Sequence, residues 1–250
     1  MVPRFALSVL AGVSACALMA ASSANAHTVT ISSITASWLN ATPTAVASFY
    51  GNTTADPYVR WGTATTGNGR SGYDFDATTS AIVANVPPSP SSSFTLGTFT
   101  HVNQPITGSS ITGIQLQVNA LVSVDGGTAT SLSFLFDFTH DETSNSGPCP
   151  YGGQNNQGVN INGCADRVTV SYNLASQTFM VGSDEYTLAL QGFQVGGVTQ
   201  TQFLTIENQD NTASLVGVVE LRSIAAPEPV SMALLGTGLV GLGALRRRRS

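Results

Sequence analysis

Outside its apolar N-terminal segment the chain carries three histidines, His27, His101 and His140, and two cysteines, Cys149 and Cys164. These are its few side chains able to ligate borderline metals, relay protons or form covalent cross-links. The two thiols bracket a polar loop, have no adjacent histidine and lack the Cys-x-x-Cys spacing of a redox pair. In an oxidising compartment their simplest fate is a disulfide that staples the loop. Asp137, Asp141, Glu142, Asn145 and Asp166 supply hard oxygens around the same loop, the ligand type of a calcium ion. No EF-hand or RTX spacing accompanies them, so calcium is the one cofactor left open. A Gly-x-Ser-x-Gly elbow, a His-Glu-x-x-His motif and a P-loop are all missing from the sequence. Carboxylates are numerous enough for a glycosidase pair, but their order along the chain does not say which two would flank a glycosidic bond. The expectation is a non-catalytic domain.

His101 and Asn103 lie two residues apart, so in an extended segment both point to one side. Pro105 ends regular pairing just beyond them. The plainer reading is a hydrogen-bond knot at a strand end, with His101 satisfying backbone groups of a neighbouring loop. Ligand binding is the alternative.

The elements that must position these groups are strands. In Ile114-Gln115-Leu116-Gln117-Val118-Asn119 apolar and polar residues alternate strictly, and Ala120, Val122 and Val124 continue the apolar face. Leu132, Phe134, Phe136 and Phe138 repeat the pattern, as do Val168, Val170, Tyr172 and Leu174. Tyr186, Leu188 and Leu190 form another run, and Leu215, Gly217, Val219 and Leu221 close the series. Period two places one face on a core and the other in water. Turn signals separate the runs at Asp125-Gly126-Gly127, Val181 to Asp184, Gly196-Gly197 and Asn208 to Asn211. No sustained helical period and no internal repeat occurs in this region, and the Val86 to Ser93 stretch, rich in Pro and Ser, reads as a surface loop. The expected fold is all-β, an antiparallel β-sandwich or jelly roll.

Charged residues make up 9% of the chain, and there is no Lys. Between His27 and Ile224 four Arg face thirteen Asp and Glu, a net charge of −9. Such a surface offers nothing to neutralise phosphates, so nucleic acid is excluded as a partner. Divalent cations or neutral glycans suit it better. Trp38, Trp61 and several Tyr could stack on sugars, although such aromatics are more often core.

The ends carry address information. Arg4 precedes a mostly apolar stretch, Phe5 to Ala21, and Ala24-Asn25-Ala26 supplies an Ala-x-Ala site, so cleavage is expected before His27. A lipoprotein-like box at Val13 to Cys16 is the rival, but apolar residues continue past Cys16. At the other end Val230 to Leu245 is uncharged and, at 1.5 Å per residue, reaches about 24 Å, short of a full bilayer core. Arg246, Arg247, Arg248 and Arg249 follow and would hold that end in the cytoplasm. The chain therefore divides into a signal segment (residues 1–26), a β domain (27–224) and a tail (225–250) with a short transmembrane helix, the first and last flanking the domain.

Pro227-Glu228-Pro229, the short apolar span and the closing Arg cluster, in that order, resemble the PEP-CTERM sorting signal of Gram-negative bacteria. That resemblance implies a precursor anchored transiently in the inner membrane, an exosortase as processing partner, and delivery to the cell surface or extracellular matrix. It also implies an association with exopolysaccharide or other envelope components. The stretch Gly97 to Ile106, with Thr100, His101 and Asn103, is similar to the signature of the THxN family of PEP-CTERM proteins, which overlaps the choice-of-anchor K domain group. Glu142 to Asn145 and Asn162 to Val168 resemble the pattern of the same family. One enzymatic likeness is present. A mature chain starting at His27 would hold a free α-amine beside an imidazole, similar to the copper brace of lytic polysaccharide monooxygenases, with His101 or His140 needed to complete it.

Overall fold

The computed structural model describes residues 26–86, 90–170 and 173–222. Ala24 of the expected cleavage site, Pro227-Glu228-Pro229 and Arg246 to Arg249 lie outside the described residues, as do both expected terminal helices and Pro87 to Ser89 of the expected loop. Apart from two three-residue 3-10 turns, the regular structure among the described residues is entirely β.

In chain order the strands are β1 (His27–Thr42), β2 (Ser48–Tyr50), β3 (Tyr58–Trp61), β4 (Thr63–Ala64), β5 (Ser71–Ala77), β6 (Ile82–Val86), β7 (Phe94–Asn103) and β8 (Ile106–Thr107). The second half holds β9 (Gly113–Val124), β10 (Thr130–Asp141), β11 (Asp166–Val170), β12 (Asn173–Val181), β13 (Asp184–Val195), β14 (Val198–Gln200), β15 (Gln202–Thr205) and β16 (Gln209–Leu221). One antiparallel sheet has the order β15-β11-β10-β9-β1-β6. The other has the order β12-β13-β16-β7-β5-β3-β2, with β14 paired to β13. Both sheets curl, and their facing sides enclose the core.

The strict alternation of Ile114 to Val124 and Leu132 to Phe138 becomes the β9–β10 hairpin, with Leu116 opposite Phe136 and Val118 opposite Phe134. Its turn holds Asp125 and Gly126 at φ of 49° and 71°, the paired positive values that a tight hairpin needs and that Asp-Gly supplies at low strain. Aromatic side chains from both sheets meet inside. Trp38 of β1 packs edge-on against Phe138 of β10 at 5.7 Å, and Phe138 stacks on Phe99 of β7 at 5.8 Å. Phe193 of β13 lies 5.1 Å from Phe99. Each such ring, fully withdrawn from water, stabilises the fold by about 2–3 kcal/mol.

Several expectations need correction. The run through Val168, Val170, Tyr172 and Leu174 divides between the sheets: β11 ends at Val170 in the first and β12, starting at Asn173, belongs to the second, while Tyr172 lies outside the described residues. Leu221 is 44% exposed, because β16 leaves the core at its last residue. The turn expected over Asn208 to Asn211 is confined to Glu207 and Asn208, and Gln209 already pairs with Asn103. Trp38 and Trp61 are both wholly buried and present no face to a sugar. Tyr186, Leu188 and Leu190 point inward as expected, but their neighbours Thr187 and Ala189 are buried too, so β13 is covered on both faces.

Candidate functional site

At one end of the core three strands deliver polar side chains into the space between the sheets. β7 contributes His101 and Asn103 from the second sheet, while β10 contributes His140 and β11 Asp166 from the first. None of the four is more than 2% exposed. Period two explains their direction: His101 follows Phe99 on the inner side of β7, and His140 follows Phe138 on the inner side of β10. Here the sequence substitutes imidazoles for the next apolar residues of an otherwise aromatic stripe.

His101 Nδ1 lies 2.8 Å from the Thr205 hydroxyl on β15. Asn103 Nδ2 donates to the Thr205 carbonyl at 3.2 Å and to its hydroxyl at 3.3 Å. The knot thus forms around Thr205, and His101 meets a side-chain hydroxyl on β15 rather than the expected backbone groups of a neighbouring loop. With the Thr205 hydroxyl proton directed to the Asp166 carbonyl at 3.4 Å, His101 Nδ1–H donates to Oγ1 and its Nε2 keeps a lone pair. That Nε2 has no hydrogen-bond partner among the described residues. Asp166 Oδ1 accepts the Thr143 N–H at 2.7 Å, and Oδ2 has no hydrogen-bond partner among the described residues. Leaving such buried atoms unsatisfied costs about 1–3 kcal/mol each.

His140 is held at both nitrogens. Nδ1 is 2.6 Å from the Tyr73 hydroxyl, and Nε2 is 3.2 Å from Glu142 Oε2. Glu142 also accepts from the Ser110 hydroxyl at 3.0 Å. Trp61 walls the site, with its ring 5.1 Å from His140 and 6.0 Å from His101. The two imidazoles meet edge to face at 5.2 Å. Among the described residues, His101, His140 and Asp166 are the one trio of His, Cys, Asp or Glu whose possible ligand atoms all lie within 4.8 Å of one another.

Electrostatics follow from burial. Desolvation, with His140 adding to it, holds His101 well below the usual histidine range. Desolvation and the neighbouring Glu142 carboxylate push Asp166 well above the usual carboxylate range. Glu207, also buried, is raised chiefly by desolvation. The nearby arginines are committed elsewhere: Arg60 pairs with Asp74 and Arg167 with Asp141.

The disulfide loop builds one wall of this site. Cys149 and Cys164 are bonded, with Cα atoms 4.9 Å apart. Asn145 Oδ1 accepts the Cys164 N–H at 2.9 Å, and the Thr143 hydroxyl donates to the Cys164 carbonyl at 2.8 Å. Gly163 (φ 144°) passes so close to Asn145 that a Cβ would sit 2.3 Å from its Oδ1. Thus Glu142 to Asn145 and Asn162 to Val168 pack on each other and hold Asp166 against His101.

The five calcium candidates do not converge. Asp137 is exposed on the outer face of β10, where Gln115 donates to it at 2.7 Å. Asp141, also outward, takes Arg167 and the Tyr151 hydroxyl. Asn145 serves the loop backbone, leaving Glu142 and Asp166 at the buried site. Nor is His27 brought to His101 or His140: it pairs with Asp125 at 2.6 Å at the start of β1. Thr100, on the opposite side of β7 from His101, is half-buried and takes no part in the cluster.

A second feature lies on the surface. Tyr50 and Tyr58, directly opposite across β2 and β3, stack at 4.7 Å and are about two-fifths exposed. Arg60 lies 4.9 Å from the Tyr58 ring, and the pair flanks an open groove that also reaches Asn68, Asp74 and Asp210. The sequence offers several Tyr for stacking, but the pairing of these two depends on the register of two very short strands, with Tyr50 ending β2 and Tyr58 opening β3.

No protein-family model and no curated protein matches this chain. Its function has to be read from its own residues.

Proposed function

We propose that the chain is an exported cell-envelope or extracellular-matrix protein, sorted through its tail by an exosortase of the PEP-CTERM type. The body between the two terminal signals acts as a non-catalytic β-sandwich or jelly-roll domain of the THxN kind. The observation that carries this reading is the Cys149–Cys164 disulfide. Such bonds persist in oxidising compartments and are rare in the cytosol, which agrees with a domain placed between an export leader and a cytoplasm-retained Arg cluster. Exopolysaccharide is the proposed partner, and the Tyr50–Tyr58 pair is the surface that suits it. Flat aromatic faces beside hydrogen-bonding Arg60, Asp74 and Asn68 match the alternating apolar and hydroxyl surfaces of a sugar ring.

The sorting part is tested in the host by replacing Pro227, Glu228 and Pro229 together with alanine. The altered precursor should accumulate in the inner membrane while the unaltered chain reaches the surface or medium. Equal distribution of the two would refute exosortase sorting. The carbohydrate part is tested by retention on the host's own polysaccharide, which Tyr50→Ala and Tyr58→Ala should abolish. No retention of the unaltered chain would remove it.

A further inference from the structure

We propose that His101, His140 and Asp166 bind one divalent transition-metal ion, with Zn²⁺ as the reference case, and that the ion clamps the two sheets together. The ligands come from both sides: His101 from β7 of one sheet, His140 and Asp166 from β10 and β11 of the other. Two imidazoles and a carboxylate are a donor set for a borderline ion such as zinc rather than for calcium, which takes six to eight oxygens.

Three observations converge. First, of the six buried side-chain atoms without a hydrogen-bond partner among the described residues, two, His101 Nε2 and Asp166 Oδ2, belong to this trio, on residues fully withdrawn from water. An ion would satisfy both at once, where the protein alone satisfies neither. Second, the surroundings of each ligand are those of a metal site. His101 is oriented by Thr205 through its other nitrogen. At His140 an ion would displace one of two partners, Tyr73 at Nδ1 or Glu142 at Nε2, and the other would still hold the ring. Asp166 is fixed through Oδ1 by the Thr143 N–H. Partners of this kind set the tautomer and direction of metal-binding side chains. Third, the charge is suited to a cation: the Glu142 carboxylate lies 3.2 Å from His140 and adds negative charge beside the trio. Zinc ligands about 2.0–2.1 Å from the ion are about 3.4 Å apart. The 4.8 Å envelope of the trio therefore needs a contraction of up to about 1.4 Å. Glu142, partly exposed, borders a surface cavity of about 340 Å³ with Thr143, Ser144 and Tyr151 and is the side chain placed between that cavity and His140.

The test uses the full chain without a histidine tag, expressed with export and purified in mild detergent. After chelator treatment, Zn²⁺, Co²⁺ and Ca²⁺ are each titrated while melting temperature, stoichiometry and the visible spectrum are followed. One Zn²⁺ per chain, a raised melting temperature and the intense visible absorption of four-coordinate Co²⁺ are expected, with no response to Ca²⁺. Thr205→Val should weaken Zn²⁺ binding by about 10–100-fold. Asp166→Asn should abolish the Co²⁺ spectrum, and His27→Gln should leave binding unchanged. Should Asp166→Asn not fold, the Thr205→Val affinity and the Co²⁺ spectrum of the unaltered chain still decide. Absence of Zn²⁺ binding, binding that His27→Gln removes, or a Co²⁺ spectrum typical of the free aqueous ion would each overturn the proposal. Because the readout is metal binding, failure here leaves the sorting experiments unaffected.

Discussion

Removing the cross-link by the paired substitution Cys149→Ala and Cys164→Ala should destabilise the domain by about 3 kcal/mol. The magnitude follows from the loop it closes: the cysteines are 15 residues apart in sequence. Constraining a loop of that size in the unfolded chain is worth about 3 kcal/mol in the chain-entropy treatment. The native side should change little, because the backbone bonds that seat Cys149 and Cys164 go to Asn155, Asn145 and Thr143 and survive the change to alanine. For a domain of this size the loss corresponds to a fall of roughly 6–12 °C in melting temperature. Urea unfolding of the oxidised, reduced and double-alanine forms, followed by tryptophan fluorescence of the buried Trp38 and Trp61, provides the measurement. The reduced and double-alanine forms should agree with each other and differ from the oxidised form. A loss below about 1 kcal/mol would refute the staple reasoning and imply that the hydrogen bonds of the loop already fix it.

Phe99→Ala should cost about 3–5 kcal/mol, measured by the same unfolding assay, since its ring contacts Phe138, Phe193 and Tyr73 in the aromatic centre. Gly163→Ala should destabilise the loop by several kcal/mol and expose Asp166, because the new Cβ has no room beside Asn145; faster amide exchange at Thr143 and Cys164 would register it. The His27 hydrogen bond holds the Asp125 carboxyl below the usual carboxylate range. A carboxyl depressed in the folded state binds fewer protons there than when unfolded. Its stabilisation is thus present above the ordinary carboxylate range and is lost as pH falls through the depressed value. NMR titration of Asp125 in a His27→Gln chain should show a return toward the ordinary value, and an unmoved titration would contradict the pairing.

The strands that were legible in the sequence are those whose pleat is uninterrupted. β9 and β10 keep one phase from end to end, so Ile114 to Val122 and Leu132 to Phe138 announce their own inner faces. β1, the longest strand, was not anticipated. Val29 and Ile31 point inward, but an irregularity between Ser32 and Thr35, with Ser33 at φ 52°, shifts the phase so that Ile34, Ala36 and Trp38 follow on even positions. A period-two search breaks at that point. The site was hidden for a related reason. On β7 the inward positions after Phe99 are His101 and Asn103, polar residues that a search for apolar alternation discards. Sequence placed His101 and Asn103 on one side correctly, yet Thr205 and Asp166 join them only through the pairing of β11 with β15, more than thirty residues apart. The calcium candidates share nearness to the loop, whereas the sheet sends Asp137 and Asp141 outward and Asp166 inward. Proximity in sequence could not distinguish them.

The mass of the intact chain isolated from its host without reduction bears on export, oxidation and sorting together. A chain beginning at His27, lacking the residues beyond the Pro227-Glu228-Pro229 region and lighter by the two hydrogens of a Cys149–Cys164 bond is the expected result. A chain carrying Met1 through Ser250 with both thiols free would contradict it.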